Sequence, residues 1–280
     1  MEKCIICGSS KSKIIFKEFD ADVLKCQNCG HVFSSYQVNQ NYNNYFGEKI
    51  ESENQFWWDE SHRKMHNDFC DKFIVGEKGR LLDVGCGLGY FIKKVSAFPN
   101  WQVFGYEISP AAAEFAKNKL ELNNIFCGLV EESDFLKEYF DIITLWDVIE
   151  HIPEPRPLLI YLLSILKDNG ILFIHTPNIK IQLPKAKIKK FIKGMNPEEH
   201  YLEARDHINI YSAQTIKKVL NDNGFLKIKF IHLHPIQSVA GSKNEILKLI
   251  KNFWFYFSRI LSIMTFGKIN IDNLFIIAKK

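Results

Sequence analysis

The sequence predicts an α/β protein built on a seven-stranded, doubly wound sheet, preceded by a small cysteine-rich module. From Arg80 onward, short apolar runs of strand length alternate with segments of helical spacing, which is typical of a sheet with helices on both faces. Before Arg80 the chain carries cysteines, aromatic residues and polar residues without this alternation. Its 280 residues are 46% hydrophobic and 24% charged, which excludes a disordered or collagen-like chain.

Three segments divide the chain. Residues 1–35 are predicted to form the cysteine module, residues 36–79 an aromatic and polar linker with a helical cap, and residues 80–280 the α/β domain. One domain of about 200 residues with a small appendage suits this length better than two equal domains. Two stretches, 177–211 and 235–270, interrupt the alternation and are predicted to be insertions.

The elements follow from local composition. Runs rich in β-branched and aromatic residues predict seven strands, at Arg80–Val84, Gln102–Glu107, Asn124–Cys127, Asp141–Trp146, Gly170–Thr176, Phe225–Leu233 and Asn273–Ala278. Helical spacing predicts four helices between them, at Tyr90–Phe98, Pro110–Leu120, Pro157–Lys167 and Ser212–Asn223. Ser109 and Ser212 are expected to cap helix N-termini, and Gly170 and Gly224 to follow helix ends.

Four cysteines near the start of the chain follow the pattern of a zinc ribbon. Cys4 and Cys7 form one pair, Cys26 and Cys29 form a second, and a glycine follows each pair. Two thiolates three residues apart can bind one ion from a tight turn, and four sulfurs complete a closed tetrahedral shell. The pattern therefore predicts a structural zinc ion with no open position for chemistry. Redox cysteines are the alternative.

A glycine-rich turn follows the first strand of the α/β domain. Asp83 ends that strand, and three glycines lie in the turn that opens the next helix: Gly85, Gly87 and Gly89. A dinucleotide fingerprint would require a small residue where this chain has Tyr90, so a GxGxG loop after an acid is the better description. Such a turn brings bare backbone against a nucleotide.

A second acid ends the next strand. Glu107 lies where a carboxylate can accept hydrogen bonds from both ribose hydroxyls of an adenosyl group. Helix capping or a solvated strand end is the alternative for Glu107 and for Asp83. Because the carboxyl ends of neighbouring parallel strands meet at one crevice, the two acids and the glycines are expected to converge there.

Over about residues 80–233, the chain resembles class I S-adenosylmethionine-dependent methyltransferases, whose motifs it has in the same order. The resemblance includes the glycine turn, the two strand-end acids, and the segments Phe126–Val130, Phe140–Pro153 and Leu163–Ile174. The resemblance implies a Rossmann-like fold with an antiparallel last strand and S-adenosylmethionine as the cofactor. The residues that it implies at the cofactor are Asp83, Gly85, Cys86, Gly87, Gly89, Glu107, Ile108, Leu129 and Trp146.

Candidate catalytic residues follow the fourth strand. In methyl transfer the protein aligns donor and acceptor, excludes water and removes a proton where the acceptor requires it. Asp147, Glu150 and His151 form either a structural turn near the cofactor or a divalent-metal site on one helical face. The metal interpretation resembles ubiquinone-pathway O-methyltransferases and small-RNA 2′-O-methyltransferases, whose segment has Glu in place of Asp147.

A second candidate is His207, immediately before the last predicted helix. Its position resembles the acceptor-site segment of methyltransferases that act on sugars and surface polysaccharides, where a histidine can abstract a proton near neutral pH. The alternative is an imidazole packed against the helix terminus. His175 and His200 are weaker candidates.

The two insertions indicate possible partners. Residues 177–197 contain six lysines and no acid, which favours an anionic acceptor or surface, whereas a net charge of only +4 argues against a dedicated nucleic-acid binder. Residues 244–267 have a broad apolar face that either packs on the sheet or lies at a membrane surface. With no secretory pattern at the start and no run of 18 apolar residues, a cytoplasmic location is expected, with peripheral membrane contact as the alternative.

Three functional hypotheses result. The first is O-methylation of a sugar, or of a nucleotide- or lipid-linked glycan precursor, with His207 as base. It is based on the order of a cysteine module followed by this histidine segment, an arrangement similar to that of sugar and polysaccharide-biosynthesis methyltransferases. The second is metal-assisted O-methylation of a phenol, a quinol precursor or an RNA hydroxyl at Asp147, Glu150 and His151. The third is a scaffold that binds the cofactor without turnover. The sequence indicates no oligomeric state.

Overall fold

A computed structural model describes residues 3–36, 55, 57–236, 245–265 and 272–280. The strands are β1 (Ser12–Glu18), β2 (Ala21–Cys26), β3 (Val32–Ser34), β4 (Gly79–Val84), β5 (Trp101–Glu107), β6 (Ile125–Cys127), β7 (Phe140–Trp146), β8 (Leu166–Thr176), β9 (Asn209–Ile210), β10 (Leu226–Ile231) and β11 (Leu274–Lys279). The helices are α1 (Arg63–Phe73), α2 (Tyr90–Ser96), α3 (Pro110–Asn118), α4 (Arg156–Ile165), α5 (Ile179–Lys193), α6 (Ala213–Asp222) and α7 (Glu245–Met264).

Seven strands form the main sheet in the order β10-β11-β8-β7-β4-β5-β6. β4 pairs in parallel with both β5 and β7, and β7 pairs in parallel with β8. β11 runs antiparallel to β8 and β10. This confirms the predicted seven-stranded sheet with an antiparallel last strand. The strand order reverses beside β4, and ligands of open α/β sheets bind at such a switch point.

Helices cover both faces of the main sheet. Leu82 of β4 lies in one apolar cluster with Leu159 of α4, and the adjacent Leu81 lies in another with Phe69 of α1 and Phe91 of α2. Neighbouring side chains of a strand point to opposite faces, so each face needs its own helix layer. The near-continuous burial of these strands explains why their sequences are apolar runs without alternation.

The local capping signals are confirmed with one exception. The Ser109 side chain accepts a bond from the Ala112 amide at the start of α3, and Ser212 forms a capping box at the start of α6. Gly224 follows α6 with φ +92°. The expectation for Gly170 is wrong, because α4 ends at Ile165 and β8 begins at the next residue, which leaves this glycine inside the strand.

The first predicted insertion, 177–211, contains α5 and the short strand β9. β9 pairs with β3, so the second sheet has the order β1-β2-β3-β9 and takes one strand from the α/β domain. The cysteine module is therefore continuous with that domain through backbone hydrogen bonds.

Parts of other predicted segments lie outside the described residues: 37–54 and 56 in the linker, and 244, 266 and 267 in the apolar segment. The described part of the apolar segment is α7, which packs through Phe255 stacked on His234 at a centroid distance of 4.4 Å, while Phe253, Ile260 and Met264 stay exposed. Within the described ranges, no helix is both long and apolar enough to cross a bilayer. Contact of α7 with a membrane surface stays a prediction.

Candidate active site

The glycine loop between β4 and α2 lies against the end of β5. Gly85 and Gly89 have φ of 71° and 83°, and a Cβ on Gly85 would lie 2.5 Å from Val148 Cγ2. Only glycine satisfies both the backbone conformation and the close approach there. The Gly87 amide donates to Glu107 Oε2 at 2.8 Å, and the Ser109 amide donates to Oε1 at 2.8 Å. Glu107 therefore fixes the loop that the sequence pattern predicted.

A cavity of about 360 Å³ opens at the carboxyl ends of β4, β5 and β7. Six of the residues predicted at the cofactor line it: Gly85, Gly87, Glu107, Ile108, Leu129 and Trp146. The other three line an adjoining recess: Asp83, Cys86 and Gly89. The volume is within the range of small-ligand pockets. A larger open groove of about 760 Å³ lies at the amino ends of the same strands, away from the crevice where such sheets bind ligands.

The residues of this cavity fit the cofactor that the sequence resemblance implies. Each Glu107 oxygen accepts one backbone amide and retains a second lone pair for a hydroxyl donor. Gly85 and Gly87 line the cavity with backbone alone, and Gly85 packs too closely on Val148 to carry a Cβ. Tyr106 and Phe126 stack at a centroid distance of 5.2 Å and add an aromatic wall beside the cavity.

Asp83 is turned toward the interior of the sheet. It is buried, and the Thr144 hydroxyl donates to its Oδ1 at 2.6 Å. Burial raises the pKa of Asp83 to about 8, and the charge of Glu107 acts in the same direction. Its role is thus different from that of Glu107, which faces the cavity.

Two histidines that the sequence analysis did not single out lie beside the recess. His62 stacks on Trp58 at 5.1 Å, and His66 contacts Trp146 edge-on at 5.1 Å. His62 precedes α1 and His66 belongs to it, within the segment predicted to be an aromatic and polar linker with a helical cap. Their four-residue spacing is compatible with one helical face, and it was the only signal in the sequence that could have singled them out.

Glu150, His151 and His207 converge on one point. One ligand atom from each lies within 4.8 Å of the others, and the His151 and His207 rings are 4.9 Å apart. Glu150 Oε2 accepts from the Thr176 hydroxyl at 3.0 Å. Glu150 Oε1 and His207 Nδ1 are buried and have no hydrogen-bond partner among the described residues. Sequence analysis treated His207 as separate from the other two, whereas the structure brings all three together.

Burial favours the uncharged forms of these residues. His151 Nδ1 lies 3.1 Å from the Asp206 carbonyl, which can only accept, so this nitrogen carries the proton and Nε2 the lone pair. Burial and the nearby His207 lower the pKa of His151 to about 4. Burial, reinforced by the charge of Asp147, raises the pKa of Glu150 well above its ordinary range. A buried carboxyl oxygen without a partner beside neutral imidazoles is a donor set that fits a divalent metal ion.

Asp147 does not join this group. Residues 147–155 form turns between β7 and α4, so the predicted shared helical face is wrong. Asp147 has φ of 51°, and its Oδ1 lies 3.0 Å from His175 Nδ1. It still lines the cavity, as does His151. The Glu150, His151 and His207 cluster therefore borders the cavity.

The four N-terminal cysteines also converge. Cys4 and Cys29 sulfurs are 3.5 Å apart, those of Cys7 and Cys26 are 3.6 Å apart, and all four lie within 4.8 Å of one another. All are free thiols. A tetrahedron with zinc–sulfur bonds of about 2.3 Å has sulfur–sulfur edges of about 3.8 Å. The thiol arrangement fits a zinc ion.

A seven-stranded sheet with an antiparallel last strand, a glycine turn and an acid at the end of the second strand defines the class I methyltransferase architecture. A family model described as "Methyltransferase domain" matches residues 60–229. The chain belongs to this family.

Individual proteins agree with this assignment. The chain is 31% identical over 152 residues to ubiquinone biosynthesis O-methyltransferase of Glaesserella parasuis, and this match covers 47% of this chain and 63% of that protein. It is 28% identical over 156 residues to the mitochondrial ubiquinone biosynthesis O-methyltransferase of Schizosaccharomyces pombe, covering 51% and 56%. The chain thus spans about three fifths of the length of these relatives. The crystal structure of a SAM dependent methyltransferase from Archaeoglobus fulgidus has the same fold, with a TM-score of 0.50 and 22% identity over 81% of this chain and 99% of that one.

Proposed function

We propose that the protein is an S-adenosylmethionine-dependent O-methyltransferase that acts on a hydroxyl of a phenol or quinol precursor with the help of a divalent cation. The observation that carries this proposal is the convergence of Glu150, His151 and His207 beside the cavity of the glycine loop. The names of the two relatives favour the phenol or quinol hypothesis over the glycan hypothesis.

The cavity residues bind and orient the donor in this proposal. S-adenosylmethionine, when bound, supplies the methyl group. Glu107 accepts hydrogen bonds from its ribose, and the loop at Gly85 to Gly89 allows the backbone to approach it closely. Trp146 and Leu129 line the same space and exclude water from the displacement.

The cluster residues prepare the acceptor. A divalent cation, when bound, supplies positive charge that favours ionisation of the acceptor hydroxyl. Glu150 would lose its proton and provide a carboxylate when the cation offsets the burial that raises its pKa. His151 would provide Nε2, and the bond from its Nδ1 to the Asp206 carbonyl holds the ring in place. Burial lowers the pKa of His207, so its ring is neutral at pH 7 and suits either a ligand or a proton acceptor.

We also propose that the cysteine module holds a structural zinc ion through Cys4, Cys7, Cys26 and Cys29. The convergence of the four thiols supports this proposal. A closed four-sulfur shell leaves no position for an acceptor, so this ion would stabilise the fold and take no part in methyl transfer.

O-methylation of a glycan with His207 as base stays a prediction. So do an RNA acceptor and a scaffold without turnover. The acceptor panel described next distinguishes the two enzymatic alternatives, and turnover on any acceptor contradicts the scaffold.

The test is methyl transfer from labelled S-adenosylmethionine to matched panels of catechols and hydroxylated benzoates, nucleotide sugars, and RNA, with and without Mg²⁺ or Mn²⁺. We expect label on the phenolic panel, dependence on the added ion, and a loss of at least about a hundredfold in turnover for Glu150→Gln. Glu154→Gln, which changes another carboxylate near the cavity rim, is the matched control. Label confined to sugars, or undiminished turnover after removal of divalent ions, contradicts the proposal.

A further inference from the structure

The segment 201–211, which carries His207, contacts both the α/β domain and the cysteine module. Contacts from β1, from the residue before β3 and from β3 itself reach both ends of this segment. The partners lie more than 170 residues apart in the sequence. The module therefore contributes to the site although its four cysteines belong to a separate cluster.

The first anchor is Glu18 at the end of β1. Its buried carboxylate accepts the backbone N–H groups of Leu202, Glu203 and Ala204 at 3.0, 3.2 and 3.3 Å. Glu203 has φ of 56°, a conformation that non-glycine residues rarely adopt. Three convergent amide donors around one carboxylate stabilise this turn. The Glu203 carbonyl in turn accepts the His207 amide at 2.7 Å, so the anchored turn leads directly to the candidate ligand.

The second anchor is the contact between His31 and Asn209. Both side chains are fully buried, and His31 Nε2 lies 2.9 Å from Asn209 Oδ1. Because Asn209 Nδ2 donates to the Ile152 carbonyl at 2.7 Å, its Oδ1 faces His31 and accepts from it. The Asn209 backbone amide donates to the Glu150 carbonyl at 2.9 Å. Asn209 thus joins the module, the segment with Glu150 and His151, and the segment with His207.

A backbone contact closes the span between the two anchors. β3 pairs with β9, and the Ser34 amide donates to the carbonyl of Ile208, the residue after His207. Fixing a free segment of this length would cost about 1–2 kcal/mol per residue in backbone entropy. Because folding already orders segment 201–211 through these contacts, a metal ion or an acceptor would not have to order it on binding.

We propose that the cysteine module positions His207 in the candidate active site, with Glu18 and His31 as positioning residues. The inference goes beyond the proposed function, because it concerns the geometry of segment 201–211 whatever the acceptor is. Only its activity readout rests on the proposed function.

The test uses the full-length protein and the variants Glu18→Gln and His31→Leu. Glu18→Gln replaces one acceptor oxygen by an amide group, which faces the backbone N–H donors of residues 202–204. His31→Leu removes the side chain that donates to Asn209. The matched control is Asp20→Asn, the same acid-to-amide change on the same hairpin, which touches the segment only through an exposed ion pair with Arg205. His31→Gln can still donate to Asn209 and is the conservative rescue variant.

The primary readout is hydrogen–deuterium exchange at the amides of His207 and Ile208, which bond to backbone carbonyls and not to the substituted side chains. We expect exchange to accelerate by about tenfold or more in Glu18→Gln and His31→Leu, and by less than about twofold in Asp20→Asn and His31→Gln. Affinity for S-adenosylmethionine should stay within about twofold, because the glycine loop lies on other elements. With an active acceptor, kcat should fall while the KM for S-adenosylmethionine is unchanged.

Unchanged exchange at His207 and Ile208 in both anchor variants would overturn the inference, with or without activity. Equal acceleration in the Asp20→Asn control would also overturn it, since any change on the hairpin would then act alike. If one anchor variant does not fold, the other still decides. Accelerated exchange in the anchor variants, together with a wild-type protein that methylates no acceptor, would support this inference and contradict the proposed function.

Discussion

The strongest test of the cofactor site is Glu107→Ala. In the structure the carboxylate of Glu107 lies at the end of β5, lines the cavity, and accepts one backbone amide on each oxygen at 2.8 Å. Its second lone pairs are available to ribose hydroxyls. Hydrogen bonds to a charged acceptor contribute about 1.5–3 kcal/mol net. At about 1.4 kcal/mol per factor of ten, the variant should bind S-adenosylmethionine about 10–150-fold more weakly.

Isothermal titration calorimetry with S-adenosylmethionine and with S-adenosylhomocysteine measures this loss. Both ligands carry the ribose, so their affinities should fall together. Glu114→Gln removes an exposed carboxylate on the neighbouring helix α3 and should leave both affinities within about twofold. A Glu107→Ala protein with native thermal unfolding and unchanged affinity would refute the ribose assignment.

Three further predictions concern other parts of the molecule. Cys26→Ser should abolish stoichiometric zinc binding and loosen the N-terminal module while cofactor affinity stays nearly unchanged; retention of zinc, measured by metal analysis, would contradict the ribbon. His207→Ala should lower turnover by about a hundredfold or more, whereas the control His200→Ala, at an exposed ring, should not, and equal rates would leave His207 structural. Because burial raises the pKa of Asp83 to about 8, the folded state holds a proton that the unfolded state loses near pH 4. Stability should therefore fall as pH rises from about 4 to 8, by up to about 1.4 kcal/mol per pH unit, and Asp83→Asn should flatten this slope in urea unfolding; an identical slope would show that another group is responsible.

Most of the main sheet could be predicted from the sequence, because each strand is encoded locally. β7 is apolar except for Asp141 and Thr144, and every residue of it except Asp141 is buried. The glycine loop and Glu107 were predictable for a related reason. They lie at fixed distances from strand ends, and the sheet topology brings those ends together.

Local sequence patterns could not predict the candidate cation site. Asp147, Glu150 and His151 are close in sequence, and their spacing left both a structural turn and a shared helical face open. The structure has a turn after β7, and it directs Asp147 to His175. The third member of the cluster, His207, comes from a different segment. No spacing rule links it to Glu150, because their proximity depends on how β9 is placed.

The placement of β9 depends in turn on a contact that sequence patterns do not encode. His31 lies two residues after a cysteine pair, within the predicted module 1–35, and Asn209 lies within the predicted insertion 177–211. Each residue is ordinary in its local context. Only the tertiary structure shows that their side chains meet in the interior.

The pairing of β3 with β9 has a consequence for biosynthesis. The His31–Asn209 contact spans 178 residues, so at about 5–20 residues per second the ribosome makes the second partner about 10–40 s after the first. During that interval β3 presents an unpaired strand edge, which is a template for association with other nascent chains. Completion of the second sheet therefore waits for β9, which is captured by a module synthesised first, and a chain released before residue 209 would keep the unpaired edge of β3.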